Sequence, residues 1–168
     1  MKISKNKILI TGGASGIGLG LTERFVKENN TVIICGRRES ALHLASLFVN
    51  LKNLDTIINV TSGLSFAPIV KVPVYCASKA FLHSFTLSLR QLLKSNSIEV
   101  IEFIPPALNT DLGGKGIHYN AQPVSEFIEA VFEQLKQGKT EITYGFSEAM
   151  TKSGPEDLKK AFARMNSQ

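Results

Sequence analysis

Residues 7–18 read KILITGGASGIG, and the fold turns on them. Lys7 to Thr11 carries a continuous apolar run closed by glycines, the pattern of a parallel strand buried on both faces. Beyond the glycines, Ile17, Leu21 and Phe25 recur at four-residue spacing, which predicts a helix from Ile17 to about Glu28. Asn29-Asn30 ends it, and TVIIC at 31–35 is a second buried strand. Together these form a βαβ unit of about 30 residues. Glycines at 12, 16 and 18 permit a tight turn and close backbone approach, and the helix start offers unpaired N–H groups to a phosphate. The setting between strand and helix favours that reading over glycines that merely turn the chain.

Working outward, Leu44, Leu47, Phe48 and Leu51 repeat at three and four, which predicts a helix over Leu42–Leu51. DTIINVT at 55–61 is a third strand, Gly63 to Pro73 a loop, and Val74 to Lys94 a long helix. An apolar stripe along that helix includes Ala77, Phe81, Phe85, Ser88 and Leu92. Core packing is expected of it at least as readily as contact with a second copy. IEVIEFI at 98–104 is a fourth strand, stopped by Pro105-Pro106, and the glycine-rich segment 107–122 is a candidate lid. Pro123 suits the first turn of a helix whose apolar face is Val124, Phe127, Ile128, Val131, Phe132 and Leu135. EITYG is a short last strand, and Pro155 opens a terminal helix with Leu158, Ala161, Phe162 and Met165 inward. Strands alternating with helices imply an α/β fold, a Rossmann-like doubly wound parallel sheet with helices on both faces. One domain spanning 1–168 is expected.

The chain has 168 residues and a net charge of +5, with its lysines and arginines scattered. A solvated surface tolerant of phosphate-bearing ligands is favoured over a nucleic-acid interface, so an RNA- or DNA-binding α/β domain is a distant third reading. No apolar run approaches the ~18 residues needed to span a bilayer, and the N-terminus lacks signal-peptide features. The two cysteines, Cys35 and Cys76, are too few for a disulfide framework. A cytoplasmic location and no membrane insertion are expected. His43, His83 and His118 have no spacing that suggests a metal, and surface or satisfied core roles are expected of them.

Two constellations carry chemistry. After the second strand come Arg37 and Arg38. An acidic residue there would take the ribose hydroxyls of NAD, whereas arginine accommodates the 2′-phosphate of NADP. Arg37 is the better candidate, with Arg38 and Ser15 as helpers, so NADP(H) is expected ahead of NAD(H). Two solvated surface arginines are the bland alternative. Further on, Tyr75 and Lys79 lie four apart at a helix start and leave the same face. An ammonium beside a phenol favours the phenolate and lowers its pKa from about 10, as a tyrosine acid–base near neutral pH requires. Ser62, thirteen residues earlier at a strand end, is placed to hydrogen-bond a substrate oxygen. The Tyr–Lys spacing alone is a weak signal. Joined to a glycine turn and a strand-end serine, it is a strong one.

With these motifs in order, the chain resembles the classical short-chain dehydrogenase/reductases. ILITGGASGIGL, IINVTSGLSFAPI, PVYCASKAFLHSFTLSLR and IPPALNTDL are similar to the bacterial oxidoreductase subgroup found with D-alanyl–lipoteichoic-acid genes. The resemblance implies that Gly12, Gly16, Ile17 and Gly18 cradle the cofactor and that Ser62, Tyr75 and Lys79 are catalytic. It implies that Pro105 opens the post-strand turn, with Pro106 where glycine is usual, and that Thr110 holds the nicotinamide carboxamide. Tyr75 would donate a proton to a small carbonyl substrate, or accept one from an alcohol, and Lys79 would also bind the nicotinamide ribose. A homodimer or homotetramer is implied, with no resident metal.

Two family features are missing. No Asp-Val closes a strand against the adenine, and no Asn-Asn-Ala-Gly turn or relay asparagine follows. The gap begins after Arg38-Glu39-Ser40 and spans roughly 60 residues or more at ~30 per unit. Closing the sheet over it gives five strands in the order 2-1-3-4-5, unless a second chain fills the space. Closure moves the serine strand by ~4.8 Å, one interstrand spacing, and misplacement by ~1 Å can reduce a rate a hundredfold. The leading reading is an NAD(P)(H)-dependent oxidoreductase, impaired if closure displaces its site. The alternative is an inactive nucleotide-binding or oligomerising remnant.

Overall fold

In the chain's computed structural model the residues described are 3–11, 15–35, 56–96 and 98–167. The elements are β1 (Lys7–Thr11), α1 (Gly16–Lys27), β2 (Thr31–Cys35), β3 (Thr56–Val60), α2 (Pro73–Leu92), β4 (Glu99–Ile104), α3 (Val124–Lys136), β5 (Glu141–Thr143), α4 (Phe146–Lys152) and α5 (Pro155–Met165). The five strands form one parallel sheet in the order β2-β1-β3-β4-β5, the order expected for a closed sheet. In the register, β3 runs directly beside β1, with Ile8 opposite Thr56 and Ile10 opposite Ile58. The predicted helix Leu42–Leu51, with Gly12, Arg37, Arg38 and His43, lies outside the described residues.

One face of the sheet is apolar. Ile8, Ile10, Ile58, Ile101 and Phe103 pack with Leu21 and Phe25 of α1 and with Phe127, Val131 and Phe132 of α3. The rings of Phe25 and Phe132 meet at 4.9 Å. Each such buried side chain contributes about 1.5–3 kcal/mol. Gly20 lets α1 and α3 approach, since a Cβ there would stand 3.3 Å from Val124 Cγ1. Asn29 ends α1 at φ 59, a left-handed conformation that asparagine tolerates. Asn30 then bonds the start of β1, accepting from the Asn6 side-chain amide at 2.7 Å and its backbone N–H at 3.0 Å.

The opposite face differs from expectation. The stripe Ala77, Phe81, Phe85, Ser88 and Leu92 does not enter the core; Phe81 is 69% exposed and Leu92 72%. The side of α2 that meets the sheet is instead polar: Tyr75, Lys79, His83, Thr86 and Arg90 recur at helical spacing and each finds a partner there. Fixed polar partners on β3 and β4 decide the helix's rotation, and periodicity cannot register them. In α5, Ala161 is buried and Leu158 and Met165 are half-buried, but Phe162 is 41% exposed rather than inward. The short helix α4 was not expected, because FSEAMTK is too brief to show a period.

Candidate active site

The site is assembled at the carboxyl ends of β1, β3 and β4. Thr61 and Gly63 extend the pairing of β3 with its neighbour, donating to the carbonyls of Phe103 at 2.8 Å and Pro105 at 3.2 Å. Between them Ser62 is extended and buried, and its Oγ accepts from the Leu64 N–H at 3.2 Å, capping a 3-10 turn over Gly63–Ser65. Pro73 starts α2, where its missing N–H is no loss. Two residues later Tyr75 comes near enough to Ser62 for the serine hydroxyl to act on its phenol. One turn on, Lys79 Nζ donates to the Val60 carbonyl at 2.8 Å and lies 5.7 Å from the centre of the Tyr75 ring. The serine, tyrosine and lysine singled out in the sequence are therefore brought together.

The electrostatics of Tyr75 differ from expectation. Burial holds the phenol above its ordinary range, the Ser62 hydroxyl partly opposes this, and Cys76 adds to the rise. The ammonium of Lys79 stands over the ring face, bound to a carbonyl, and does not offset the burial. Tyr75 is thus a proton donor as it stands. Cys76 is buried with its Sγ 3.8 Å from the Ile69 carbonyl, consistent with packing.

A cleft of about 570 Å³ joins this constellation to the start of α1. Ser15, Gly16, Ile17 and Gly18 form one wall, Tyr75 and Lys79 another, and Pro105 and Thr110 a third. The volume falls within the ~300–1,000 Å³ common for small-molecule sites. Gly16 has φ +50, and a Cβ on it would meet Thr110 Cγ2 at 3.3 Å, so glycine is what lets loop 107–122 close against the helix start. That loop is tied at its base, where Asn109 N–H donates to the Gln122 carbonyl at 2.9 Å.

These residues fit a dinucleotide. The first turn of α1, which lines the cleft, holds no acidic side chain and Ser15 makes no side-chain capping hydrogen bond, as suits a helix start that takes a phosphate. Among the described residues no group of His, Cys, Asp and Glu is arranged to hold a metal ion, and no helix is long and apolar enough to cross a membrane.

Sequence reasoning missed Glu102, fully buried on β4, and its bond from Thr61; its other partner is His83, for which a surface or satisfied core role was expected. Two signals were available: a carboxylate in the otherwise apolar run VIEFI, and the spacing of His83 one turn beyond Lys79.

A family model described as short chain dehydrogenase matches residues 6–54 and 51–122. The chain belongs to the short-chain dehydrogenase family. The first matched stretch holds the glycine turn and the second holds Ser62, Tyr75 and Lys79. The uncharacterized oxidoreductase DltE of Bacillus subtilis (strain 168) is 31% identical over 250 residues, covering 100% of this chain and 99% of that protein. Because this chain has 168 residues, that alignment includes positions of DltE with no counterpart here, as an internally shortened member requires. A short-chain dehydrogenase from Burkholderia cenocepacia J2315, solved with NADP, superposes with a TM-score of 0.79 at 17% identity over 98% of this chain and 99% of that one. The 3-ketoacyl-(acyl-carrier-protein) reductase of Brucella melitensis, complexed with NADH, gives 0.66 at 16% identity over 87% and 100%. These likenesses are of fold, and the family is one of nicotinamide-dependent oxidoreductases.

Proposed function

We propose that this short-chain dehydrogenase is an NADP(H)-dependent oxidoreductase that reduces a small carbonyl compound, or oxidises the matching alcohol, with Tyr75 as acid–base. The observation that carries the reading is one cleft shared by the start of α1, Tyr75 and Lys79, with Ser62 beside the tyrosine. The nicotinamide supplies or takes the hydride at the substrate carbon. The chain's own residues do the rest. The helix start at Ser15–Gly18 binds pyrophosphate, Lys79 the nicotinamide ribose, and Thr110 with Pro105 the carboxamide end. Ser62 orients the substrate oxygen, and Tyr75 Oη delivers a proton to it during reduction. Preference for the 2′-phosphate rests on Arg37, Arg38 and Ser15, and titration of the chain with NADPH and NADH by calorimetry tests it. A cytoplasmic homodimer or homotetramer suits the exposed stripe of α2.

A second reading, a cofactor-binding member without turnover, draws support from the direct pairing of β3 with β1 and from the missing relay asparagine. Loss of absorbance at 340 nm with NADPH and a panel of aldehydes and ketones decides between them. Turnover abolished by Tyr75→Phe supports the first. Binding without turnover supports the second, and no binding overturns both.

A further inference from the structure

Glu102 is 0% exposed, on a strand whose flanking residues Ile101 and Phe103 are wholly buried too. Its carboxylate accepts from Thr61 Oγ1 at 2.6 Å, and His83 Nδ1 lies 2.9 and 3.1 Å from its two oxygens. Thr61 immediately precedes Ser62 and lines the cofactor cleft. His83 lies one turn beyond Lys79 and two beyond Tyr75 on the same face of α2, and its ring packs on Phe66 at 4.7 Å. One buried carboxylate therefore grips both segments that carry the Ser62–Tyr75 pair.

Stability does not account for such a group. Hydrophobic residues of similar volume commonly serve a core as well as a buried ion pair does, whereas a buried polar network fully satisfied holds one geometry. We propose that Glu102 is a positioning residue of the hydride-transfer site, setting through Thr61 and His83 the separation of the Ser62 and Tyr75 hydroxyls. This deepens the reading of Tyr75 as acid–base and rests on it. The geometric claim itself is tested without turnover.

The test uses the full chain labelled with [13Cζ]tyrosine. It has three tyrosines, and the Tyr75 resonance at neutral pH is identified by its loss in Tyr75→Phe. Thr61→Val removes one hydroxyl from the carboxylate and Thr61→Ser restores it. The Tyr75 resonance is expected to move in Thr61→Val, to return in Thr61→Ser, and to move further in Thr61→Val combined with Glu102→Leu, which releases His83 as well. Tyr119 and Tyr144 stay in place throughout. Where NADPH turnover is measurable, Thr61→Val lowers kcat roughly tenfold or more, and Thr61→Ser restores it. A Tyr75 resonance unmoved by Thr61→Val, or three resonances moving together with a fall in Tm, overturns the proposal. Should Glu102→Leu fail to fold, the Thr61 pair decides alone. A wild type without turnover counts against the oxidoreductase reading, while the resonances still decide the positioning.

Discussion

Gly16→Ala tests the cleft most directly, because its two consequences arise from separate terms. Gly16 opens α1 at φ +50, and holding an L residue in that left-handed region costs about 1–2 kcal/mol. The new methyl would also stand 3.3 Å from Thr110 Cγ2 and 3.5 Å from its Cβ, so Thr110 must give way by a few tenths of an ångström. For a chain of this size each kcal/mol is worth ~2–4 °C in Tm, so thermal unfolding followed by circular dichroism should show a fall of roughly 2–8 °C. Displacement of Thr110 also reshapes the wall opposite the helix start, and ~1.4 kcal/mol lost there weakens NADPH about tenfold in calorimetry. Adding Thr110→Ser removes Cγ2 and keeps the hydroxyl. The double variant should regain NADPH affinity yet keep the lower Tm, because the backbone term survives. A Gly16→Ala protein with wild-type Tm and wild-type Kd would refute both the conformational and the contact argument.

Tyr75→Phe should lower turnover by about 10²–10⁴-fold, the usual contribution of an acid–base group, with NADPH affinity little changed; steady-state rates and calorimetry check it. Because burial raises the Tyr75 pKa, both folded and unfolded chains keep this proton below about pH 10. Above that, the unfolded chain ionises first, so stability from Tyr75 is lost as pH rises through the folded value. Urea unfolding of wild type and Tyr75→Phe should therefore converge or cross only in that alkaline window, and a difference independent of pH would contradict the assignment. His83→Leu leaves Glu102 buried without its ring partner and should destabilise by about 3–5 kcal/mol, with much of the loss recovered on adding Glu102→Leu; denaturant midpoints measure both. Phe103→Ala, at 0% exposure, should lower stability by about 3–5 kcal/mol, whereas Phe81→Ser, at 69% exposure, should do little to the isolated fold. If the α2 stripe is an interface between copies, Phe81→Ser instead shifts the oligomer toward monomer in sedimentation.

Much of this was legible residue by residue. KILIT followed by GGASGIG specifies a buried strand, a turn and a helix, because continuous apolarity, glycine freedom and 3.6-residue periodicity are local properties. The positions of Ser62, Tyr75 and Lys79 follow from a strand end and a helix start, again local. The order β2-β1-β3-β4-β5 could be reached because parallel crossovers leave few ways to close five strands. Arg37 and Arg38 stay an argument from sequence alone.

What the tertiary structure decided is the rotation of α2. By periodicity alone, Ala77, Phe81, Phe85 and Leu92 make as good a core stripe as any. Yet the sheet presents the Val60 carbonyl, Asn59, Glu102 and the Val100 carbonyl, which bind Lys79, Thr86, His83 and Arg90. Those partners are distant in sequence and have no period of their own, so only their meeting in space turns the helix, and with the helix Tyr75 toward Ser62. The Tyr75 pKa follows the same logic. An adjacent lysine is visible in sequence and argues for a lowered value, but burial is a property of the assembled cleft, and burial prevails.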